Sequence, residues 1–323
     1  MLTTIEKILF TLLALVSVYF AFATFVRIRR IIKRGTDRLA TDHIFRRFVR
    51  SALVFVTQYP TWKRRPLASL AHAGVAFAFV FYLIVNIGDG LEGFLPDFTF
   101  PSEDIVGDVY RLIADVLSVA ALAGMVALLL RRAIIGRKIW NFRSSTLLHP
   151  KAVFGIKRDS LIVGVFILFH IGSRFLGASV QIAATEADPW QPFATSASAL
   201  WAGLTPQALE VLEHVFWWGA LGSILLFVPY FLYSKHIHIF MAPLNFLLKP
   251  RRASIGQLDK IDFADESIQQ FGASRLEHLS QAQLFDAYAC IMCNRCQDAC
   301  PAYATGKALS PATLEINKRY QIN

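Results

Sequence analysis

All four cysteines of the chain lie within one short stretch, CIMCNRCQDACP. Their spacing is Cys290-x2-Cys293-x2-Cys296-x3-Cys300, and Pro301 follows directly. Thiols at every third residue can bind several metal atoms from one tight loop. Disulfides are a poor alternative, because such close spacing makes poor loops for bridging and a cytoplasmic location keeps thiols reduced. The spacing therefore predicts a metal site.

The run is typical of the ligands of a 4Fe–4S cluster in bacterial ferredoxins. We predict that Cys290, Cys293, Cys296 and Cys300 bind such a cluster. Four cysteines can also hold zinc, but structural zinc sites usually split two pairs across a longer gap. In two-cluster ferredoxins the cysteine before the proline ligates the other cluster. Either Cys300 closes a single cluster, or the protein continues past Asn323 to a second cluster, which is the outcome we expect.

The rest of the chain has the composition of a membrane protein. Of its 323 residues, 55% are hydrophobic and 17% are charged. A helix needs roughly 20 apolar residues to cross a bilayer, and in lipid only a helix satisfies its own backbone. Five runs approach that length, near 8–26, 67–87, 106–130, 161–182 and 212–233. We predict an all-α membrane protein, a bundle of five transmembrane helices with a cytoplasmic ferredoxin-like iron–sulfur extension.

The domain boundaries follow from where the sequence turns polar. We expect a membrane domain over residues 1–248, a cytoplasmic linker over 249–284 and a 4Fe–4S segment over 285–323. The first apolar run follows Glu6 and Lys7 rather than a basic segment, so we expect a retained helix and no cleaved signal peptide.

The basic residues predict how the chain is oriented. The segment 27–65 carries 12 Lys or Arg and the segment 131–158 carries 8, whereas 88–105 and 183–211 carry none. Because basic loops stay inside, we expect an inner-membrane, multi-pass protein with its N-terminus outside and its C-terminus in the cytoplasm. The same asymmetry explains the net charge of +10 without a nucleic-acid partner. Residues 43–59 predict an amphipathic helix on the cytoplasmic surface.

Five histidines fall in or beside the apolar runs: His72 in the second, His170 in the fourth, and His214, His236 and His238 in the fifth. Ionisable groups at membrane depth are costly and mark functional sites, and two imidazoles on facing helices can hold a haem iron. His72 and the cytoplasmic end of the fifth helix share a depth. Two residues apart on an α-helix means about 200° of rotation, so only one of His236 and His238 can face His72.

The apolar runs, the histidines and the cysteine run together resemble known protein families. The five-helix layout, His72 and FVPYFLYSKHIHIFMAP are similar to the dihaem cytochrome b of the nitrate reductase gamma subunit. With CIMCNRCQDACP and GKALSP, the chain resembles fused membrane iron–sulfur oxidoreductases related to heterodisulfide reductase. The resemblance implies a haem b ligated by His72 and His238, with Lys235 and His236 near its propionates or the helix partner. It also implies electron transfer between a cytoplasmic redox partner and membrane quinone, within a larger complex.

The chain departs from that family at the outer haem. The pattern would place histidines ten residues after His72 and eighteen before His238, where this sequence has Tyr82 and Ala220. His170 and His214 are candidates for a displaced second pair, with Arg174 as a propionate or quinone partner. Alternatively, His170 hydrogen-bonds Arg174 or a backbone carbonyl, and His214 is an interfacial residue.

A further pair of residues lies at the outer start of the third helix. Arg111 and Asp115 are four positions apart, a spacing at which opposite charges meet on a helix. We expect a structural salt bridge. With Asp108 and Glu213 these residues could instead line a quinone pocket that exchanges protons with the outer water.

Taken together, the residues predict a quinone-linked iron–sulfur oxidoreductase with one haem b and a possible second. The direction of electron flow is open. The alternative is a non-catalytic membrane anchor or assembly subunit that holds an iron–sulfur partner in a respiratory or photosynthetic complex, which the missing outer histidines favour.

Overall fold

The computed structural model describes residues 2–95, 98, 104–134, 142–251, 262–267 and 270–322. These residues are folded into helices and connecting turns, and they contain no strand. They form two compact units. The first unit comprises Met1–Ala21, Thr61–Ile139 and Ser160–Tyr230, and the second comprises Phe22–Pro60, Trp140–Asp159 and Phe231–Asn323.

Within the described residues, five helical spans are long and apolar enough to cross a membrane, as predicted. They are α1 (Thr4–Ile32), α4 (Pro66–Phe94), α5 (Ile105–Ile134), α6 (Pro150–Ala184) and a fifth span, Pro206–Tyr233. The shorter helices are α2 (Ile44–Thr57), α3 (Tyr59–Trp62), α7 (Pro192–Ser198), α8 (Pro206–Trp217), α9 (Ser223–Tyr233), α10 (His238–Leu248), α11 (Gln281–Ala289), α12 (Arg295–Asp298), α13 (Pro301–Ala304) and α14 (Pro311–Ile322). The structure therefore confirms an all-α chain with five helices long and apolar enough to cross a membrane. The iron–sulfur extension stays a prediction.

The fifth span is made of two helices rather than one. α8 and α9 are joined by a π-helical turn at Trp218–Gly222. Such turns insert extra residues into a helix and are frequent at functional sites. The turn places the buried residues Gly219, Ala220, Leu221 and Gly222 inside the first unit.

In the first unit, α4 and α5 pack closely because small residues face each other. A Cβ atom added at Gly74 would lie 2.9 Å from the carbonyl oxygen of Ala120, and one at Gly124 would lie 2.5 Å from that of Ala71. Small residues let helix backbones approach in this way in membranes. The buried core beside them consists of Ala78, Tyr82, Val85, Ala121 and Ile171.

The predicted pairing of Arg111 with Asp115 is wrong. Asp115 is buried, and its carboxylate accepts hydrogen bonds from the backbone N–H groups of Phe193, at 2.7 Å, and Ala194, at 3.1 Å. These N–H groups lie in the first turn of α7, where no intrahelical partner is available to them. Arg111 instead pairs with Asp108 and Asp188. The Asp115 carboxylate therefore accepts hydrogen bonds at the start of α7 and does not pair with Arg111.

The second unit has a core of its own, built around α10 and α11. α11 begins with a capping box, in which Ser280 Oγ accepts from Gln283 N and Gln283 Oε1 accepts from Ser280 N. Such reciprocal bonds fix the start of a helix. The helix then buries one face in a cluster that contains Ile28, Ile32, Ile237, Met241, Leu284, Phe285, Ala287, Tyr288 and Ile322. Of the predicted linker 249–284, residues 252–261 and 268–269 lie outside the described part of the chain.

The helix predicted over residues 43–59 is present as α2. One of its faces packs on α10, where Ser51 Oγ donates to the carbonyl of Pro243 at 2.7 Å. Arg47 is buried and donates to the carbonyl oxygens of Asp42 and Lys249, each at 2.7 Å. The exposed apolar side chains of α2 include Phe45, Phe48, Leu53 and Val56. This amphipathic character agrees with the predicted helix, whereas its place on the cytoplasmic surface stays a prediction.

Candidate redox site

The cysteine run follows α11 and forms a tightly turned loop in the second unit. α11 ends at Ala289, and Cys290 is the next residue, in extended backbone. Met292 and Asn294 have φ angles of 59° and 61°, in the left-handed region that turns a chain sharply. The backbone N–H of Met292 donates to Sγ of Cys290 at 3.3 Å. Amide donors of this kind stabilise negative charge on a thiolate.

The second half of the loop is fixed by contacts to α14. The buried side chains of Gln297 and Ser310 are hydrogen-bonded, with Oγ of Ser310 2.5 Å from Oε1 of Gln297. Ser310 Oγ also accepts from the backbone N–H of Thr313, at 3.2 Å, in the first turn of α14. Because Gln297 lies between Cys296 and Cys300, α14 positions this part of the loop.

None of the four cysteines forms a disulfide. Burial raises the pKa of Cys290 to about 12 and also raises the pKa of Cys296. Metals bind thiolates rather than thiols, so a metal that binds here must displace protons.

The donor set fits an iron–sulfur cluster. The four cysteines have ferredoxin spacing, and their loop also supplies an amide donor to Cys290. The thiolates of a 4Fe–4S cluster bind different iron atoms, and this donor set could supply them. No three His, Cys, Asp or Glu side chains in the described ranges are gathered as ligands of one metal ion.

The SKHIHI segment is not part of the fifth span, which is a correction to the predicted helix. The span ends at Tyr233, and Ser234 has extended backbone with φ −70° and ψ 163°. Oγ of Ser234 then accepts from the N–H of His236 at 3.1 Å and begins a 3₁₀ turn, Lys235–Ile237. His238 starts α10. The chain breaks here because Ser234 caps a new turn in place of continuing the helix.

His236 and His238 therefore lie in a 3₁₀ turn and at the start of α10, outside the fifth span. The imidazole rings of His236 and His238 lie 6.3 Å apart at 64°. The predicted rotation of about 200° assumed an α-helix, whereas the backbone between these residues is a 3₁₀ turn. His72 belongs to α4 in the first unit and His238 to the second. Their pairing across a haem stays a prediction.

Lys235 is buried and bound to α6 within the second unit. Its Nζ donates to the carbonyl of Ile156 at 2.9 Å, and its backbone N–H donates to Asp159 Oδ2 at 3.1 Å. Of the two predicted surroundings for Lys235, propionates or a helix partner, the structure shows contacts with a helix. These bonds fix the start of the SKHIHI segment.

Arg319 on α14 is a second buried cation of this unit. One of its terminal nitrogens donates to the carbonyls of Tyr233, at 3.0 Å, and Ser234, at 3.1 Å. The guanidinium carbon lies 4.3 Å from the centre of the Tyr288 ring, a cation–π distance. Burial lowers the pKa of Arg319 to about 10, which leaves the group charged at neutral pH. Arg319 thereby links α14, α11 and the end of the fifth span.

In the first unit, His170 bonds a backbone carbonyl. Its ring is buried, and Nδ1 lies 2.9 Å from the carbonyl oxygen of Ala220, so Nδ1–H is the donor. The ring of Phe166 stacks on it at 5.8 Å. A carbonyl bond of this type orients metal-binding histidines, and it also satisfies buried histidines without a metal. It is the alternative contact that the sequence analysis allowed.

His214 lies elsewhere in the first unit. Its Nδ1 donates to Oε1 of Glu6 at 2.9 Å, and Trp218 Nε1 donates to the same oxygen at 3.0 Å. His214 precedes Ala220 by six residues, about 9 Å along a helix axis. The structure therefore does not bring His170 and His214 together, and their shared haem stays a prediction.

Arg174 is bound to α4 in the first unit, and its role as a propionate or quinone partner stays a prediction. It donates to Asn86 Oδ1 at 3.0 Å and pairs with Asp89, both on α4. Its guanidinium carbon lies 4.8 Å from the centre of the Tyr82 ring. The hydroxyl of Tyr82 donates to the carbonyl of Ala114 at 2.9 Å and contacts Ser118. A polar network thus occupies the position where the family pattern would place an outer haem histidine.

Several residues of these networks were not among the predicted site residues. Glu6 had a signal, because Thr3-x-x-Glu6 is a capping-box pattern, and the structure shows both reciprocal bonds. Asp89 and Arg319 had none, since each is one of many charged residues near a helix end. Their partners are known only once the helices are packed.

Two known proteins are similar to the chain. Over 129 residues it is 39% identical to the probable iron–sulfur-binding oxidoreductase FadF of Bacillus subtilis (strain 168), a match that covers 40% of this chain and 18% of that protein. Over 254 residues it is 27% identical to the EtfAB:quinone oxidoreductase of Syntrophomonas wolfei subsp. wolfei (strain DSM 2245B / Goettingen), covering 77% of this chain and 34% of that protein.

The chain therefore spans only 34% and 18% of the lengths of the curated relatives it matches. No family model matches the chain, and no solved structure does. The chain is similar to iron–sulfur and quinone-linked oxidoreductases over part of their length.

Proposed function

We propose that this chain is the membrane part of an iron–sulfur oxidoreductase that passes electrons between a cytoplasmic redox partner and membrane quinone. The observation that carries the proposal is the run from Cys290 to Cys300, held between α11 and α14 in a chain with five potential membrane spans. The names of both relatives support it, since each is called an oxidoreductase and one acts with quinone.

In this proposal Cys290, Cys293 and Cys296 hold one 4Fe–4S cluster, and Cys300 ligates a second one. A 4Fe–4S cluster accepts and donates one electron at a time. The chain supplies the thiolates and an amide donor, because the N–H of Met292 points at the sulfur of Cys290. The bond between Gln297 and Ser310 fixes the half of the loop that carries Cys296 and Cys300.

The proposed haem b has His72 and His238 as its axial ligands. Support comes from the similarity of the SKHIHI segment to the nitrate reductase gamma subunit and from the contacts that fix this segment. Ser234, Lys235 and Arg319 hold its start at defined positions. An imidazole whose backbone is fixed in this way loses little freedom when it binds iron, which favours ligation.

The proposed partners and location follow from charge and from the relatives. The basic segments are proposed to face the cytoplasm, with the N-terminus outside the inner membrane. The cytoplasmic redox partner is proposed to be of the EtfAB type, after the name of one relative. Further domains or subunits would complete the second cluster.

One observation favours a second function, that of a membrane anchor without haem. Tyr82 and Ala220 stand where outer haem histidines are expected, and both take part in internal hydrogen bonds. His170 and Arg174 are likewise bound within the first unit. An anchor would hold an iron–sulfur partner at the membrane and would need no haem of its own.

A spectrum separates these functions. The full chain is purified without oxygen, and a reduced-minus-oxidised spectrum is recorded together with iron, sulfide and haem content. We expect a b-type α band and an iron–sulfur signal, and reduction of a short-chain quinone by a reduced viologen or by EtfAB. A cluster signal without any α band, and without quinone reduction, would identify the anchor.

A further inference from the structure

A cleft of about 550 Å³ lies beside the first turn of α1 in the first unit. Its volume is in the range of small-molecule sites. Its walls are formed by Glu6, Glu210, Val211, His214, Val215 and Trp218. Five of these six residues come from α8 and the π turn, at spacings of three to four residues that share one helix face.

Two polar rings are held on the wall by one carboxylate. Oε1 of Glu6 accepts from Nδ1 of His214 and from Nε1 of Trp218. The other oxygen accepts from the N–H of Thr3 at 2.9 Å and from its hydroxyl at 2.8 Å. Glu6 is thus fixed by four donors, and the remaining ring nitrogen of His214 is Nε2. Because Nδ1 of the imidazole carries the proton of this bond, Nε2 is an oriented acceptor for a ligand hydroxyl.

The rest of the wall is apolar and open to the surroundings. Val211 and Val215 are 62% and 55% exposed. The cleft lies in the first turns of a helix that can cross a membrane, and therefore near the boundary between lipid and water. The residues suit a ligand that combines an apolar body, a flat ring and a hydroxyl group.

We propose that this cleft binds the head group of a membrane quinone in its reduced form, the quinol, with Nε2 of His214 accepting from a hydroxyl and Trp218 packing against the ring. This inference rests on the proposed function and adds the site. A phospholipid phosphate fits less well, because Glu6 and Glu210 would repel an anion. A quinol is neutral and carries the required hydroxyl donors.

The same geometry argues against His214 as a haem ligand. A second axial ligand would have to face it, and His170 bonds Ala220 about 9 Å further along the span. Glu6 and Trp218 form the immediate surroundings of His214. The cleft therefore assigns His214 to a ligand smaller than a haem.

The test measures binding of a radiolabelled short-chain ubiquinone and a short-chain menaquinone, each reduced to the quinol and kept free of oxygen, to the full chain in nanodiscs, with empty nanodiscs as the blank. We expect His214→Leu to weaken binding about threefold to tenfold, as expected for one lost hydrogen bond. Val211→Trp fills the cleft without removing a polar group, and should weaken binding more than about tenfold. Val165→Trp is its matched control, since Val165 is 53% exposed on α6 outside the cleft, and should bind as the wild type.

Haem content of the same samples gives the second readout, and it should be unchanged in His214→Leu. Normal quinol binding in both cleft variants would overturn the inference while leaving the proposed function intact. Loss of haem in His214→Leu, with normal quinol binding in Val211→Trp, would overturn it in favour of a haem ligand. Absence of quinol binding and quinone reduction in the wild type would refute the proposed function itself.

Discussion

Arg319 shows how one side chain can organise the second unit. It is 2% exposed and donates to two carbonyls at the point where the fifth span ends. Those carbonyls lie at the C-terminus of a helix, where oxygens lack intrahelical partners and a cation is favoured. The contact with Tyr288 adds a third element. None of these partners is near Arg319 in sequence, so only packing reveals the role.

We predict that Arg319→Met lowers the stability of the chain by about 1–3 kcal/mol, because two carbonyls, one of them in a buried bond at Ser234, lose their donor. The change should appear as a lower midpoint of thermal unfolding in detergent. Arg275→Met is the control, since Arg275 is exposed and should change the midpoint little. Equal midpoints for both variants would mean that the carbonyls find other donors.

The histidine ligands give a prediction at the same scale. We expect His72→Ala and His238→Ala each to remove the haem while the iron–sulfur signal remains, because each would delete an axial ligand. Haem content and the reduced-minus-oxidised spectrum measure this. His236→Ala should be milder, since the backbone N–H of His236, and not only its ring, makes the contact with Ser234. Full haem content in both His72→Ala and His238→Ala would exclude the pair, and equal loss in all three variants would leave the choice of His238 over His236 unsupported.

At the scale of elements, the five spans were predictable and the end of the fifth was not. Length and hydropathy are properties of the sequence alone, and a run of some 20 apolar residues has few other uses. The break at Ser234 depends on a weaker signal. The apolar residues resume at Ile237 and continue through α10, so hydropathy is nearly continuous, and the capping bond to His236 decides where the helix stops.

The contact between α4 and α5 yields a prediction about packing. We expect Gly124→Ala to destabilise the first unit by about 1–3 kcal/mol, the usual cost of overpacking, because its Cβ would lie 2.5 Å from the carbonyl oxygen of Ala71. Gly172→Ala on α6 is a matched control, since nothing lies within 4 Å of its added Cβ. There alanine should be neutral or stabilising by up to about 1 kcal/mol. Thermal unfolding in detergent compares the two, and equal effects would contradict close packing at Gly124.

At the scale of the whole molecule, the sequence predicts the ligands of an iron–sulfur cluster better than the ligands of a haem. The cysteine spacing alone predicts the cluster ligands, because all four cysteines lie in one loop. A haem between distant helices is different, since it depends on which residues face each other after folding. His214 and Arg174 illustrate the difference, because each binds a partner that the sequence did not indicate. The bond of His170 to a backbone carbonyl was one of two contacts that the sequence left open.

The final prediction concerns the two kinds of redox group together. If the cysteine run and the histidine pair hold separate cofactors, they must be separable by mutation. We expect Cys290→Ser, Cys293→Ser and Cys296→Ser each to abolish the low-temperature paramagnetic resonance signal of one 4Fe–4S cluster and to leave the b-type α band intact. Cys300→Ser should keep that signal, because we assign Cys300 to a second cluster.

The contrast among the four serine variants makes the assignment decisive. Met292 N–H donates to Cys290, and α14 positions the half of the loop that contains Cys296 and Cys300, so a serine at Cys300 should leave the first three ligands in place. Iron and sulfide per chain are measured alongside the resonance spectrum. Loss of the same signal in all four variants would show that Cys300 closes a single cluster. Zinc in place of iron, with no resonance signal in the wild type, would remove the extension from the electron path and leave the five-span bundle to be explained by its haem alone.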